Sequence, residues 1–228
     1  MANETIRIFP LGDTALTVEF GTVISEQLNQ KAIAFADHIE KLNFPGLVET
    51  VPAYASTTVF FDLMTVKKSF SEFPTAFDAV RSFAEKALSA VETVDAGKQR
   101  LVELPVSFDP ADALDIDVVA EHNGISANEV IDIFTSKIYR VFMLGFLPGF
   151  TYMGELDERI ATPRKETPRT LIPKGSVGIA GRQTGIYSLE SPGGWQIIGR
   201  TDTQLFLPNA EKPSLLQPGD AVKFVRVK

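Results

Sequence analysis

Along the first hundred residues the apolar positions switch between two periods. Ala15 to Phe20 (ALTVEF) alternates apolar and polar, the period of a strand with one buried face. Leu28, Ala32, Phe35, Ile39 and Leu42 then recur every three or four residues, which predicts a helix with one apolar stripe, capped by Ser25. Two strands follow, Leu47 to Tyr54 and Thr57 to Leu63, joined by a tight connection. Phe73, Phe77, Val80, Ala84, Ala87 and Val91 mark a second amphipathic helix, and Leu101 to Val106 a further strand.

The order βαββαβ predicts a ferredoxin-like α/β sandwich, with two helices on one face of a four-stranded sheet. The polar stretch Glu92 to Arg100 marks a domain boundary, placed between residues 95 and 96. Beyond it, Asp109 to Asp117 carries four aspartates and one proline, read as a connection. A helical hairpin is predicted near 115–137, with Gly124 ending its first helix and Ser126 with Glu129 forming a capping box for its second. After Tyr139 come short strands punctuated by glycine and proline: Arg140 to Leu144, Ser176 to Ala180, Gly185 to Leu189, Gln196 to Arg200, Gln204 to Phe206 and Ala221 to Val227. That spacing predicts a closed or nearly closed β-barrel over residues 96–228, and an α+β chain of two domains.

Charge and composition remove several functions. The chain has 228 residues and a net charge of −7, against the basic surface that nucleic-acid binding requires. The segment VVAEHNGISANEVIDIF has the look of a helix-turn-helix, but six acidic and two basic residues between Asp112 and Arg140 would repel phosphate. With no cysteine there is no disulfide, thiolate nucleophile or thiolate metal site. No apolar run approaches the roughly 20 residues of a membrane span, and no basic leader precedes one. A cytoplasmic protein is expected. His38 lies within an amphipathic helix and His122 near a helix C-terminus, where the dipole favours a cation, so both are read as structural. The motifs GxxxxGK[ST], GxSxG and HExxH are missing, so no ATP loop, nucleophile elbow or zinc site is expected in this chain.

Leu144 to Thr201 is where chemistry concentrates. Ten of the sixteen glycines lie here, with Phe146, Phe150, Tyr152 and Trp195 among Arg164, Lys165, Arg169, Lys174, Arg182 and Arg200. Glycine permits close backbone approach and proline stiffens a loop, so this mixture suits a cleft that holds a small anion against an apolar wall. Pro163 and Pro168 stiffen the basic run PRKETPR, and its two arginines offer planar forks matched to carboxylate or phosphate. The Gly-Phe-Leu-Pro-Gly-Phe turn reads equally well as a barrel corner, and Trp195 as core filler.

The string GFLPGFTYMGELDERIATPRKETPR, with IPKGSVGIAG, SPGGWQIIGRT, the terminal PGDAVKF and the opening FPLGDTALTVEFG, resembles the PxpB component of prokaryotic 5-oxoprolinase, the family that includes the KipI kinase inhibitors and is also labelled allophanate hydrolase subunit 1. The likeness spans nearly the whole chain. It implies an N-terminal α+β domain, a C-terminal cyclophilin-like β-barrel, and work with two partner components, the KipA-like PxpC and PxpA. The activity implied is ATP-dependent opening of 5-oxoproline to glutamate, with ATP used by the complex. A proposed route phosphorylates the lactam carbonyl oxygen, so that arginine and lysine would hold the carboxylate and offset developing charge. On the resemblance and this chemistry, Arg164, Arg169 and Lys174 are expected to serve catalysis. Gly145, Pro148, Gly149, Phe150, Ser191, Gly193, Gly194 and Trp195 are expected to line the substrate, and no metal is expected. Two positions depart from the pattern: Phe134 stands where a histidine is common, and Ser188 where proline is common. Rival readings are an inhibitor of a sensor histidine kinase and a component of a urea carboxylase or allophanate hydrolase system.

Overall fold

The computed structural model describes residues 6–91 and 99–227. The chain forms two compact units, Met1–Lys98 and Gln99–Lys228. The boundary expected between residues 95 and 96 lies outside the described residues.

The first unit runs β1 (Arg7–Pro10), β2 (Ala15–Glu19), α1 (Glu26–Leu42), β3 (Leu47–Pro52), β4 (Ser56–Phe61), α2 (Leu63–Ser69) and α3 (Ala76–Val91). Its strands form an antiparallel sheet in the order β1-β2-β4-β3. Helix α1 starts where the sequence directs, because the Ser25 side chain accepts a hydrogen bond from Leu28 N. Its stripe of Leu28, Ala32, Phe35 and Ile39 is buried against Leu16, Val18, Val59 and Phe61, whereas Leu42, at the last turn, is exposed. Asp62 stops β4 earlier than expected: its carboxylate accepts from Thr65 N at 2.7 Å and opens α2 in place of the strand's last residues.

The βαββαβ reading is corrected in one element. Strand β5 (Leu101–Val106) belongs to the second sheet, where it pairs in parallel with β13 (Ala221–Arg226). In the first sheet the edge beside β2 is taken by β1, paired from Arg7↔Glu19 to Pro10↔Leu16. An edge strand needs only one partner, so a four-residue segment ahead of β2 suffices.

In the second unit, α4 (Ile116–Asn123) and α5 (Ala127–Ser136) follow β5. Gly124 takes φ 68 after α4, and Ser126 and Glu129 make the reciprocal capping bonds of α5. Then come β6 (Ile138–Leu144), β7 (Thr151–Met153), β8 (Arg169–Ile172), β9 (Ser176–Ala180), β10 (Gln183–Ile186), β11 (Ser191–Gly193) and β12 (Gln196–Arg200). Seven strands form one sheet in the order β12-β9-β10-β7-β6-β13-β5, while β8 and β11 form a separate ribbon. Gln204 to Phe206, expected as a strand, contributes only a single bridge from Phe206 to Ser214.

The two ends of the seven-stranded sheet meet. Ser107 N donates to Arg200 O at 2.8 Å and Arg200 N returns a bond to Ser107 O at 2.9 Å, so the sheet curls into a nearly closed barrel. Val106, Val141, Met153, Val177, Ile179, Ile186, Ile198 and Phe224 fill its interior. Gly199 sits at this seam, where a β-carbon would come within 2.8 Å of Val106 Cγ1 and 2.9 Å of Ser107 O. Gly199→Ala is therefore expected to destabilise this unit by about 1–3 kcal/mol, the usual range for overpacking, as a lower urea midpoint in Trp195 fluorescence. An unchanged midpoint would show that the seam yields.

Phe134 is fully buried in this core, stacked on Phe224 with ring centroids 4.8 Å apart. The Tyr139 hydroxyl donates to Phe134 O at 3.0 Å. Phe134, where the resemblance led to an expectation of histidine, is thus a packing position. Among the described residues no helix is long and apolar enough to cross a membrane.

Candidate functional site

The loop between β6 and β7 builds one wall of a cavity. Within it Leu147 N donates to Gly145 O at 2.8 Å across Phe146, whose φ is 67°, a three-residue turn of the strained, positive-φ kind. The turn holds the Phe146 ring outward, 60% exposed and edge-on to Phe150 at 5.5 Å. Gly149, with φ 77°, lies against Leu205 O and Phe206, so its missing side chain serves loop packing. Pro148 O accepts from Ser188 Oγ at 2.6 Å. Ser188, where the resemblance led to an expectation of proline, thus ties the turn after β10 to this loop, a bond that proline cannot make.

Phe146, Phe150, Tyr152, Tyr187 and Trp195 surround a cavity of about 230 Å³. Their rings meet edge to face, Phe150 standing 5.6 Å from Trp195 at 88° and 5.1 Å from Tyr187 at 83°. Gly193 and Gly194 complete the lining with Arg164, Pro168 and Pro192. A side chain at Gly193 would run into the Tyr187 hydroxyl, whereas Gly194 has ordinary room, with Pro168 Cγ 3.6 Å from the site of a β-carbon. The Arg164 guanidinium lies 5.8 Å from the centroid of the Trp195 ring. Burial pushes the Tyr187 phenol up to about 12, against the lowering effects of the Trp195 backbone N–H and the Arg164 charge. At neutral pH Tyr187 is accordingly a neutral O–H donor. One cation, one neutral phenol and apolar rings are the groups that suit a small flat anion.

The run from Pro163 to Arg169 is fixed at several points. Gln196 Nε2 donates to Pro163 O at 3.0 Å, and Lys165 N to Gly194 O at 2.8 Å. Arg169 gives both Nη groups to Asp115, at 2.6 and 2.7 Å, and Lys165 Nζ reaches the same carboxylate at 3.1 Å. Ile197 N donates to Asp115 Oδ2 at 2.7 Å, and Asp115 N donates back to Ile197 O at 2.7 Å. Burial acts to raise the Asp115 carboxyl, but the bonds from Arg169, Ile197 N and Lys165 outweigh it and hold it below the ordinary carboxylate range. Asp115 stands at the N-cap of α4, yet its side chain makes no bond to that helix. A residue type suited to capping is committed here to a neighbouring loop.

Of the residues singled out from the sequence, Arg164, Phe150, Gly193, Gly194 and Trp195 line the cavity. Gly145, Pro148 and Gly149 shape the loop beside it, and Ser191 Oγ turns onto Pro192 O at 3.1 Å. Arg169 is spent on Asp115, and Lys174 lies in the connection between β8 and β9 and does not line the cavity. Sequence reasoning missed Asp115 and Tyr187. The first was hidden among four aspartates; the second follows a short strand and has no motif of its own. Among the described residues no three His, Asp or Glu side chains are grouped to hold a metal ion.

Residues 6–216 match the carboxyltransferase domain, subdomain C and D. The 5-oxoprolinase B subunit of Bacillus subtilis is 45% identical over 97% of this chain and 92% of its own length. The urea amidolyase of Saccharomyces cerevisiae is 32% identical over 82% of this chain, which corresponds to 10% of that protein. The crystal structure of TTHA0988 superposes with a TM-score of 0.78 at 34% identity, covering 94% of this chain and 39% of the other. With identity to a curated relative over nearly its full length, and a family match across most of both units, the chain belongs to the PxpB family of 5-oxoprolinase components.

Proposed function

We propose that this chain is the PxpB component of an ATP-dependent 5-oxoprolinase complex and that its aromatic cavity holds the lactam. The observation that carries the reading is Arg164 poised over Trp195 beside the neutral Tyr187 hydroxyl. 5-Oxoproline is a small ring bearing one carboxylate and one amide. Arg164 pairs with the carboxylate, the rings of Phe150 and Trp195 cover the ring faces, and Tyr187 donates to the amide oxygen. Arg169 and Lys165 hold the loop in this reading and do not touch the substrate.

A nucleoside triphosphate does not suit this cavity, which measures about 230 Å³ and is lined by a single arginine. ATP use is assigned to the partners, the KipA-like PxpC and PxpA, and no phosphoryl step is placed on this chain. That the homologous segment occupies only 39% of TTHA0988 and 10% of the yeast urea amidolyase supports work in a larger assembly for cleaving amide bonds. In this reading residues 96–228 are a cyclophilin-like barrel domain carrying the site, residues 1–95 an α+β domain serving assembly, and the complex is cytoplasmic.

The test is reconstitution with the two partner proteins and assay of 5-oxoproline with ATP. Glutamate and ADP should form only with all three chains present. Turnover of urea or allophanate in place of 5-oxoproline would transfer the reading to the urea system, which the yeast relative favours as the second choice. Turnover by this chain alone would show that the machinery has been misplaced.

A further inference from the structure

We propose that Asp115 is a positioning residue for the cavity, setting Arg164 over Trp195 through its bonds to Lys165 and Arg169. The inference rests on the reading of the cavity as the substrate site. Arg164 is exposed and follows the exposed Pro163, so its aim is decided by how the loop is held on either side. On one side Pro163 O is held by Gln196; on the other Lys165 is held at its backbone by Gly194 and at its ammonium by Asp115. Four residues on, Arg169 closes the loop onto the same carboxylate, immediately after the cavity-lining Pro168. Asp115 also grips Ile197 in both directions, two residues beyond Trp195. One buried carboxylate thereby references the loop that carries the cation to the strand that follows the indole. Because the Asp115 side chain makes no bond to its own helix, its loss is felt first in the loop.

The experiment uses the assembled complex with Asp115→Asn, Arg164→Ala and the double variant. Asp115→Asn is expected to raise KM for 5-oxoproline about tenfold while kcat changes less than about twofold, the signature of lost ground-state binding. If Asp115 acts through Arg164, the double variant is no worse in KM than Arg164→Ala alone. Additive effects, or a normal KM with only a lowered melting temperature, would overturn the proposal. Should Asp115→Asn fail to fold, Lys165→Met removes one tie without emptying the pair and should reproduce the KM change; a normal KM in that variant equally overturns it.

A readout independent of activity comes from Trp195, the single tryptophan. With Arg164 displaced, acrylamide should quench its fluorescence more strongly in Asp115→Asn, to the level seen in Arg164→Ala. Unchanged quenching in the folded variant would reject the role. A wild-type complex inactive on 5-oxoproline would instead defeat the substrate assignment, leaving the quenching comparison to decide on Asp115.

Discussion

Asp115→Ala is expected to lower the unfolding free energy of the C-terminal unit by about 3 kcal/mol, near the lower end for removing one partner of a buried pair. The lower end applies because Arg169 and Lys165 retain side-chain exposures of 26% and 25%, enough to rehydrate in part. Ile197 N also loses its side-chain acceptor. Urea unfolding followed through Trp195 fluorescence reads this unit alone, since the single tryptophan lies within it. The effect should depend on pH in one direction. The Asp115 carboxyl sits below its ordinary 3.8 in the folded chain, so its contribution is fully present above that value and is lost as the pH falls through the folded one. The gap between wild type and variant should therefore close in acid; a gap that stays constant down to about pH 2 would assign the loss to packing.

Arg164→Ala should lower kcat/KM of the reconstituted complex tenfold or more, since a charge-assisted contact is worth about 1.5–3 kcal/mol. Arg164→Lys should recover little, because an ammonium keeps the charge but loses the planar fork and the stacking on Trp195. Arg169→Ala provides the contrast: it frees the Asp115 carboxylate from its bidentate partner and should depress stability along with activity. Near-normal kinetics in Arg164→Ala, with partner binding intact, would remove the basic loop from the site.

What was legible in the sequence was what short-range physics decides. The stripe from Leu28 to Ile39 and the capping box of Ser126 and Glu129 depend on residues within a turn or two of each other, and both stand as read. The destination of Leu101–Val106 does not, because its partner Ala221–Arg226 lies 120 positions away at each paired residue. Strands of three or four residues, such as β7, β8 and β11, are too short to show a period. Phe150, Trp195 and the paired glycines were visible as an unusual composition. Asp115 was not, since Asp109, Asp112, Asp115 and Asp117 differ in burial and not in kind. The arginines illustrate the same limit: Arg164 and Arg169 are chemically identical, and only the fold gives one to the cavity and the other to a carboxylate.

The joining of β5 to β13 and the seam at Ser107 and Arg200 govern when this unit can fold. The earliest strand cannot complete its pairing with the last until β13 has been made, and the loop to be closed spans nearly the whole unit. Loop closure of that length is entropically unfavourable before any contact compensates for it, which places the barrel among slow, non-local folders. Until β13 is made, the edge of β5 that it covers stays open, and an open strand edge is a template for pairing with another chain.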